Sequence, residues 1–99
     1  MRVLLTDTAE HDLEDIGDFI ALDSPRRAFT FVQELRRATE TIGEYPEAFP
    51  LIPRYEHYGI RRRPYRNYLV FYLILADHVE VTHVLNSAQD YETILFPDD

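Results

Sequence analysis

Arg61, Arg62, Arg63 and Arg66 fall within six consecutive positions. Guanidinium groups are planar, permanently charged and present paired donors, so a cluster of them suits carboxylates or phosphates. In a strand, Arg61 and Arg63 share one face and Arg62 points to the other. Three arginines buried there without partners are not credible. The segment therefore reads either as an anion-binding patch or as a solvated edge strand paired with the chain's own acids. His83 stands inside an alternating run, on the side of Val79, Val81 and Leu85. As a general base it would need an acid or a cation beside it, for which Tyr91 or Arg66 is the candidate. A packed or half-exposed sheet histidine is the plainer reading.

Other chemistry-bearing types are dispersed. Asp12, Glu14, Asp15 and Asp18 could be paired carboxylates, but their spread around one amphipathic segment fits a solvated helix face better. His11, His57 and His78 have no metal-ligand spacing and cysteine is absent, so neither a metal nor a cofactor is expected. Tyr65, Tyr68 and Tyr72 could stack on bases, yet aromatic residues ordinarily fill sheets.

The chain has 99 residues, enough for one domain over 1–99 and no second module. It is 45% hydrophobic with a net charge of −8, which fits a packed globular protein and argues against sequence-independent nucleic-acid binding. All ten basic side chains are Arg. Residues 1–50 hold eleven acids against five arginines, whereas 54–66 holds five arginines against Glu56 alone. The N-terminus lacks a basic then apolar leader, and the longest apolar run, Tyr68 to Ala76, is too short to cross a bilayer as a helix. A soluble, cytoplasmic protein with no membrane contact is expected.

These residues must be positioned by a recognisable order of elements. Arg2 to Thr6 reads as a strand, and Thr6, Asp7 or Thr8 can cap a helix with Ala9, Leu13, Ile16 and Ile20 on its apolar face. Ser24-Pro25 starts a second helix, with Ala28, Phe31, Val32, Leu35, Ala38 and Ile42 as its stripe, ending near Gly43. The short link makes an antiparallel αα-hairpin. Pro46, Pro50 and Pro53 predict an extended, non-helical connection over 45–57, with Phe49, Leu51 and Ile52 tucked on the core. Strands follow at Tyr58–Arg63, Asn67–Ala76 and Val79–Leu85, with a tight turn at Asp77-His78. The order β-α-α-β-β-β predicts an α+β domain, the hairpin packed on one face of a mostly antiparallel sheet. Tyr91, Ile94, Leu95 and Phe96 then either close a sheet edge or stand exposed for a partner.

Three stretches together resemble a known family: Ala9–Ile16 with Phe19-Ile20, Arg63–Tyr72, and Val84–Asp90. Their order and spacing are similar to the ParE branch of the ParE/RelE toxin superfamily, over nearly the whole chain. The resemblance implies a helical hairpin on a curved sheet and a cognate, ParD-like antitoxin that wraps around the toxin. ParE-like members poison DNA gyrase, whereas RelE-like members cut messenger RNA on the ribosome. Family members commonly carry His and Arg where this chain has Asn86 and Gln89, which weakens an RNase reading.

The resemblance therefore implies a non-enzymatic, growth-inhibiting toxin acting on gyrase, of the kind tied to plasmid stabilization. Arg61, Arg62, Arg63, Arg66, Tyr91, Ile94, Leu95 and Phe96 are candidates for target or antitoxin contact. An antitoxin helix is expected in a groove beside the hairpin, at Leu13, Ile16, Ile20, Val32 and Leu35, with an added strand on an exposed sheet edge. The alternatives are a ribosome-dependent endoribonuclease using Arg63, Arg66, His83 and Tyr91, and a non-toxic member that only binds an antitoxin.

Overall fold

Thr6 is where the first strand turns into the first helix. A computed structural model describes residues 1–99. Strand β1 spans Arg2–Leu5 and helix α1 spans Asp7–Ala21. The Thr6 hydroxyl accepts from the Ala9 N–H at 3.1 Å, and Asp7 and Glu10 occupy the first turn, where negative charge meets the positive helix end. Helix α2, Pro25–Thr41, is capped in the same way: the Ser24 hydroxyl accepts from the Arg27 N–H, with Pro25 behind it. The helices approach closely at Gly17, where an added Cβ would lie 3.2 Å from Val32 Cγ2. Across the hairpin, Arg36 donates two 2.9 Å hydrogen bonds to the Glu10 carboxylate, and this pairing holds the Glu10 carboxyl below its usual range.

The connection to the sheet corrects the expected extended stretch. Three short 3-10 turns, Ile42–Glu44, Pro46–Ala48 and Glu56–Tyr58, break residues 42–58. Proline at the first position of the second turn has the right φ for it. The expected packing holds at Ile52, which is fully buried, and Phe49 rests against the core. Gly59, at φ +75°, closes the third turn and delays the next strand. Strand β2 is therefore Arg61–Tyr65 and not Tyr58–Arg63.

Strands β3, Tyr68–Ile74, and β4, His78–Asn86, follow, with the turn at Ala76-Asp77 one residue earlier than expected. A short helix α3, Tyr91–Leu95, closes the chain. The sheet order is β1-β4-β3-β2, antiparallel except for the parallel pairing of β1 with β4. Each face of the sheet carries a core. On one, Ala9, Leu13, Phe31 and Leu35 from the hairpin meet Val70, Tyr72, Val81 and Val84. On the other, Leu69, Phe71 and Leu85 are covered by Ile52 and Phe96. Burial raises the Tyr72 phenol pKa, and its hydroxyl donates to the Pro46 carbonyl at 2.6 Å.

The second core makes β3 a strand buried on both sides, as its unbroken apolar run requires. Phe71→Ala is expected to cost about 3–5 kcal/mol and the exposed cap change Ser24→Ala about 1 kcal/mol, measured by urea unfolding. A Phe71→Ala cost under about 1 kcal/mol would show that the second face is not a packed core.

Candidate functional site

The arginine strip is divided by the strand pleat as its spacing implies. Arg61 and Arg63 pair across from Tyr72 and Val70, on the hairpin face, and Arg62 faces the other side, across from Phe71. Arg61 donates to the carbonyl of Phe49 at 2.7 Å. Arg62 donates to the Tyr91 hydroxyl and lies over its ring. These two are therefore occupied by the chain's own connection and closing segment, not by acidic helices. Arg63 lies over the rings of Phe49 and Tyr65 and donates from Nη1 to the Pro64 carbonyl, while its Nε is buried without a partner. Arg66, in the β2–β3 turn at φ +54°, is mostly exposed and lies 4.0 Å from Glu34.

His83 does not continue the face of Val79 and Val81, contrary to the simple alternation. Phe71 pairs with His83 but Tyr72 pairs with Val81, so Thr82 is an extra residue and the alternation slips by one. Val84, not His83, rejoins the hairpin-side core. The His83 Nδ1 lies 2.8 Å from Asp12 Oδ2, and the same oxygen accepts from the Val84 N–H at 2.9 Å. An ionised carboxylate only accepts, so a hydrogen bond between them is one that His83 donates from Nδ1. Asp12 is thus a half-buried clasp between α1 and β4, whereas Glu14, Asp15 and Asp18 lie on the solvated face as expected.

The clasp is one of three side-chain caps along the same edge. Strand β1 accompanies β4 only to Val81. Beyond it, the Thr6 hydroxyl donates to the Thr82 carbonyl, Asp12 accepts from Val84, and Gln89 Oε1 accepts from the Asn86 N–H. Asn86 Oδ1 in turn accepts from the Ala88 N–H at 2.8 Å. Asn86 and Gln89 together build a turn.

The four positions of the RNase alternative are not brought together. Arg63 and Arg66 flank Tyr65 at the β2 edge. His83 is held at the β4 edge by Asp12, and Tyr91 packs on Phe71 with the second core.

The closing segment is docked. Phe96 is only 4% exposed and stacks flat on Tyr55, with ring centroids 4.2 Å apart. Its expected role as a contact residue is corrected: it is part of the second core. Leu95 and Tyr91 pack beside it, and Ile94 is left partly exposed. Of the expected groove residues, Leu35 is fully buried under the hairpin, out of reach of any partner, because it points to the sheet. Ile20 is half-buried beside the core. Leu13 and Val32 line an outer groove of about 420 Å³ between α1 and α2, with Gly17, Ala21, Ala28 and Phe29. Ile16 instead lines a separate groove of about 340 Å³, between α1 and the end of β4, with Phe19 and Tyr68. Phe19, Leu22 and Phe29 are 71%, 83% and 68% exposed, a set of apolar side chains around the hairpin tip.

The family model described as "ParE toxin of type II toxin-antitoxin system, parDE" matches residues 3–91. The chain belongs to the ParE toxin family. No curated protein gives a match. A solved structure titled "Chromosomal ParDE TA system from P. aeruginosa" is similar at a TM-score of 0.75 with 18% identity, covering 87% of this chain and 95% of that one. At that identity the likeness is one of fold. This ParE-family chain thus keeps the fold while closing its β4 edge with its own side chains. None of its helices is long and apolar enough to cross a membrane.

Removing the Asp12 carboxylate leaves the Val84 N–H and His83 Nδ1 without their partner. Asp12→Ala is expected to destabilise the fold by about 1–3 kcal/mol, with Asp12→Asn losing less because one acceptor oxygen remains. Equal thermal stability of wild type and Asp12→Ala would show that the clasp contributes nothing.

Proposed function

We propose that this chain is the toxin of a type II toxin–antitoxin pair that arrests growth by binding DNA gyrase, with a ParD-like antitoxin as its cognate partner. The observation that carries this reading is the ParE family match over nearly the whole chain. It is supported by the separation of the candidate RNase residues: His83 is committed to Asp12, while the cations stand at the far edge of the sheet. A protein that works by docking needs no assembled base and acid. It needs exposed apolar anchors, and the hairpin tip supplies Phe19, Leu22 and Phe29.

The antitoxin helix fits the outer groove between α1 and α2, where Gly17, Ala21 and Ala28 leave room and Val32 and Phe29 offer apolar contact. An added strand fits the outer edge of β1, which pairs only with β4 and lies at the end of the sheet. At the other end, the outward side of β2 is engaged by Pro50 and Ile52, and Pro64 has no N–H to offer.

The test is induced expression without antitoxin, then purified toxin in parallel gyrase-cleavage and ribosome-programmed mRNA assays. Growth arrest with trapped, cleaved DNA and intact mRNA is expected. Cut mRNA with normal supercoiling would overturn the gyrase reading, and normal growth would favour a member that only binds its antitoxin.

A further inference from the structure

Arg27, Arg36, Arg54 and Arg66 each lie against a carboxylate, and neither Arg37 nor Arg63 does, although eighteen carboxylates are present. Both line one hollow of about 270 Å³ between α2 and β2, together with Glu34, Ala38, Thr41 and Tyr65. Helical spacing places 34, 37, 38 and 41 on the same flank of α2, facing the Arg63–Tyr65 end of β2. The single carboxylate there is already engaged within the chain. Glu34 accepts from Arg27 at 2.6 Å and from the Tyr65 hydroxyl at 3.3 Å, and Arg66 lies 4.0 Å away. The Arg27 hydrogen bond holds the Glu34 carboxyl below its usual range, so it stays an anion committed to its own neighbours.

Arg63 is the fixed half of the hollow. Its guanidinium lies over Phe49 and Tyr65, 5.2 and 5.7 Å from their centroids, and Nη1 is tied to the Pro64 carbonyl. Its Nε is buried with no acceptor. A cation held this way pays little conformational entropy when an anion arrives, which is the condition for a selective charged contact. Arg37, exposed on α2, is the solvent-facing half.

We propose that this hollow is a notch for a carboxylate side chain of a partner protein, with Arg63 and Arg37 as its two cations. A polyphosphate partner is disfavoured by charge. Extended phosphate tracks require a broad basic surface, and a chain of net charge −8 offers only this local patch, whereas one or two carboxylates on a protein segment fit it. Arg61 and Arg62 do not line the notch; the connection and Tyr91 hold them elsewhere. The proposal deepens the protein-docking reading above and rests on it for the class of partner.

The experiment follows the backbone amides of the intact protein by NMR during titration with a capped peptide of alternating Glu and Leu. The same peptide with Gln for Glu and a short DNA duplex serve as comparisons. Shifts centred on Arg37, Thr41, Arg63 and Tyr65 are expected with the Glu peptide only, weakened by salt and at least fivefold weaker in Arg37→Gln. Because Arg37 is exposed, that variant keeps the fold, and its unchanged spectrum away from the notch verifies it. Equal binding of the Gln peptide, preference for the duplex, absence of shifts at the notch, or an unaffected Arg37→Gln protein would each overturn the proposal. The readout needs neither toxicity nor gyrase, so its failure leaves the gyrase assay to judge the functional reading separately.

Discussion

Strand β4 is nine residues long and its parallel partner β1 only four. Beyond Val81 the inner strand of the sheet becomes an edge, and its outward N–H and C=O groups must find other partners or remain unpaired beside a core. Thr6, Asp12 and Gln89 supply them. The position of α1 follows from this constraint. The Thr6 hydroxyl both caps the helix and bonds the Thr82 carbonyl, and Asp12 lies within the second turn of the same helix. The bulge at Thr82 adds the twist that turns His83 toward that carboxylate while returning Val84 to the core.

The same closure decides which surfaces are left for recognition. Strand addition at β4 would have to displace the side-chain caps, and β2 is shielded by the Pro50–Ile52 segment and by Pro64. What remains is the short outer edge of β1, the outer groove of the hairpin, its aromatic tip, and the charged hollow on the α2 flank. The apolar surfaces are separated from the cationic one by the body of α2. A partner that used both would have to wrap the hairpin, burying apolar anchors on one side and meeting Arg37 and Arg63 on the other.

Much of this was legible in residue pattern. The 3.6-residue period, the capping residues at positions 6–8 and Ser24-Pro25 located both helices, and the unbroken run through Phe71 marked a central strand covered on at least one face. What periodicity could not locate was where it slips. Thr82 interrupts an alternation that otherwise extends through Leu85, and no local signal separates a bulged threonine from a paired one. Proline spacing suggested an extended connection, but proline also opens short turns, as Pro46 does. Asp12 looked like one more acid on a solvated face, because its partners are more than seventy residues away. Hydrophobicity alone makes Leu35 and Phe96 candidates for contact, because it cannot distinguish a side chain facing a partner from one facing its own core. For the arginines, types and spacing gave the facing, but only tertiary structure showed that Arg61 and Arg62 are held by the connection and Tyr91 while Arg63 lines the hollow beside Arg37.

Native-state hydrogen exchange at individual β4 amides tests the edge closure most directly. If side chains replace the missing strand, the Val84 amide is protected to within about tenfold of the β1–β4 ladder amides at Val79 to Val81, a difference of about 1.4 kcal/mol in opening free energy. In Asp12→Ala that protection falls at Val84 while the ladder stays comparatively protected. Rapid exchange at Val84 in the unmodified protein, as in an exposed loop, would contradict the account and return β4 to the status of an open edge.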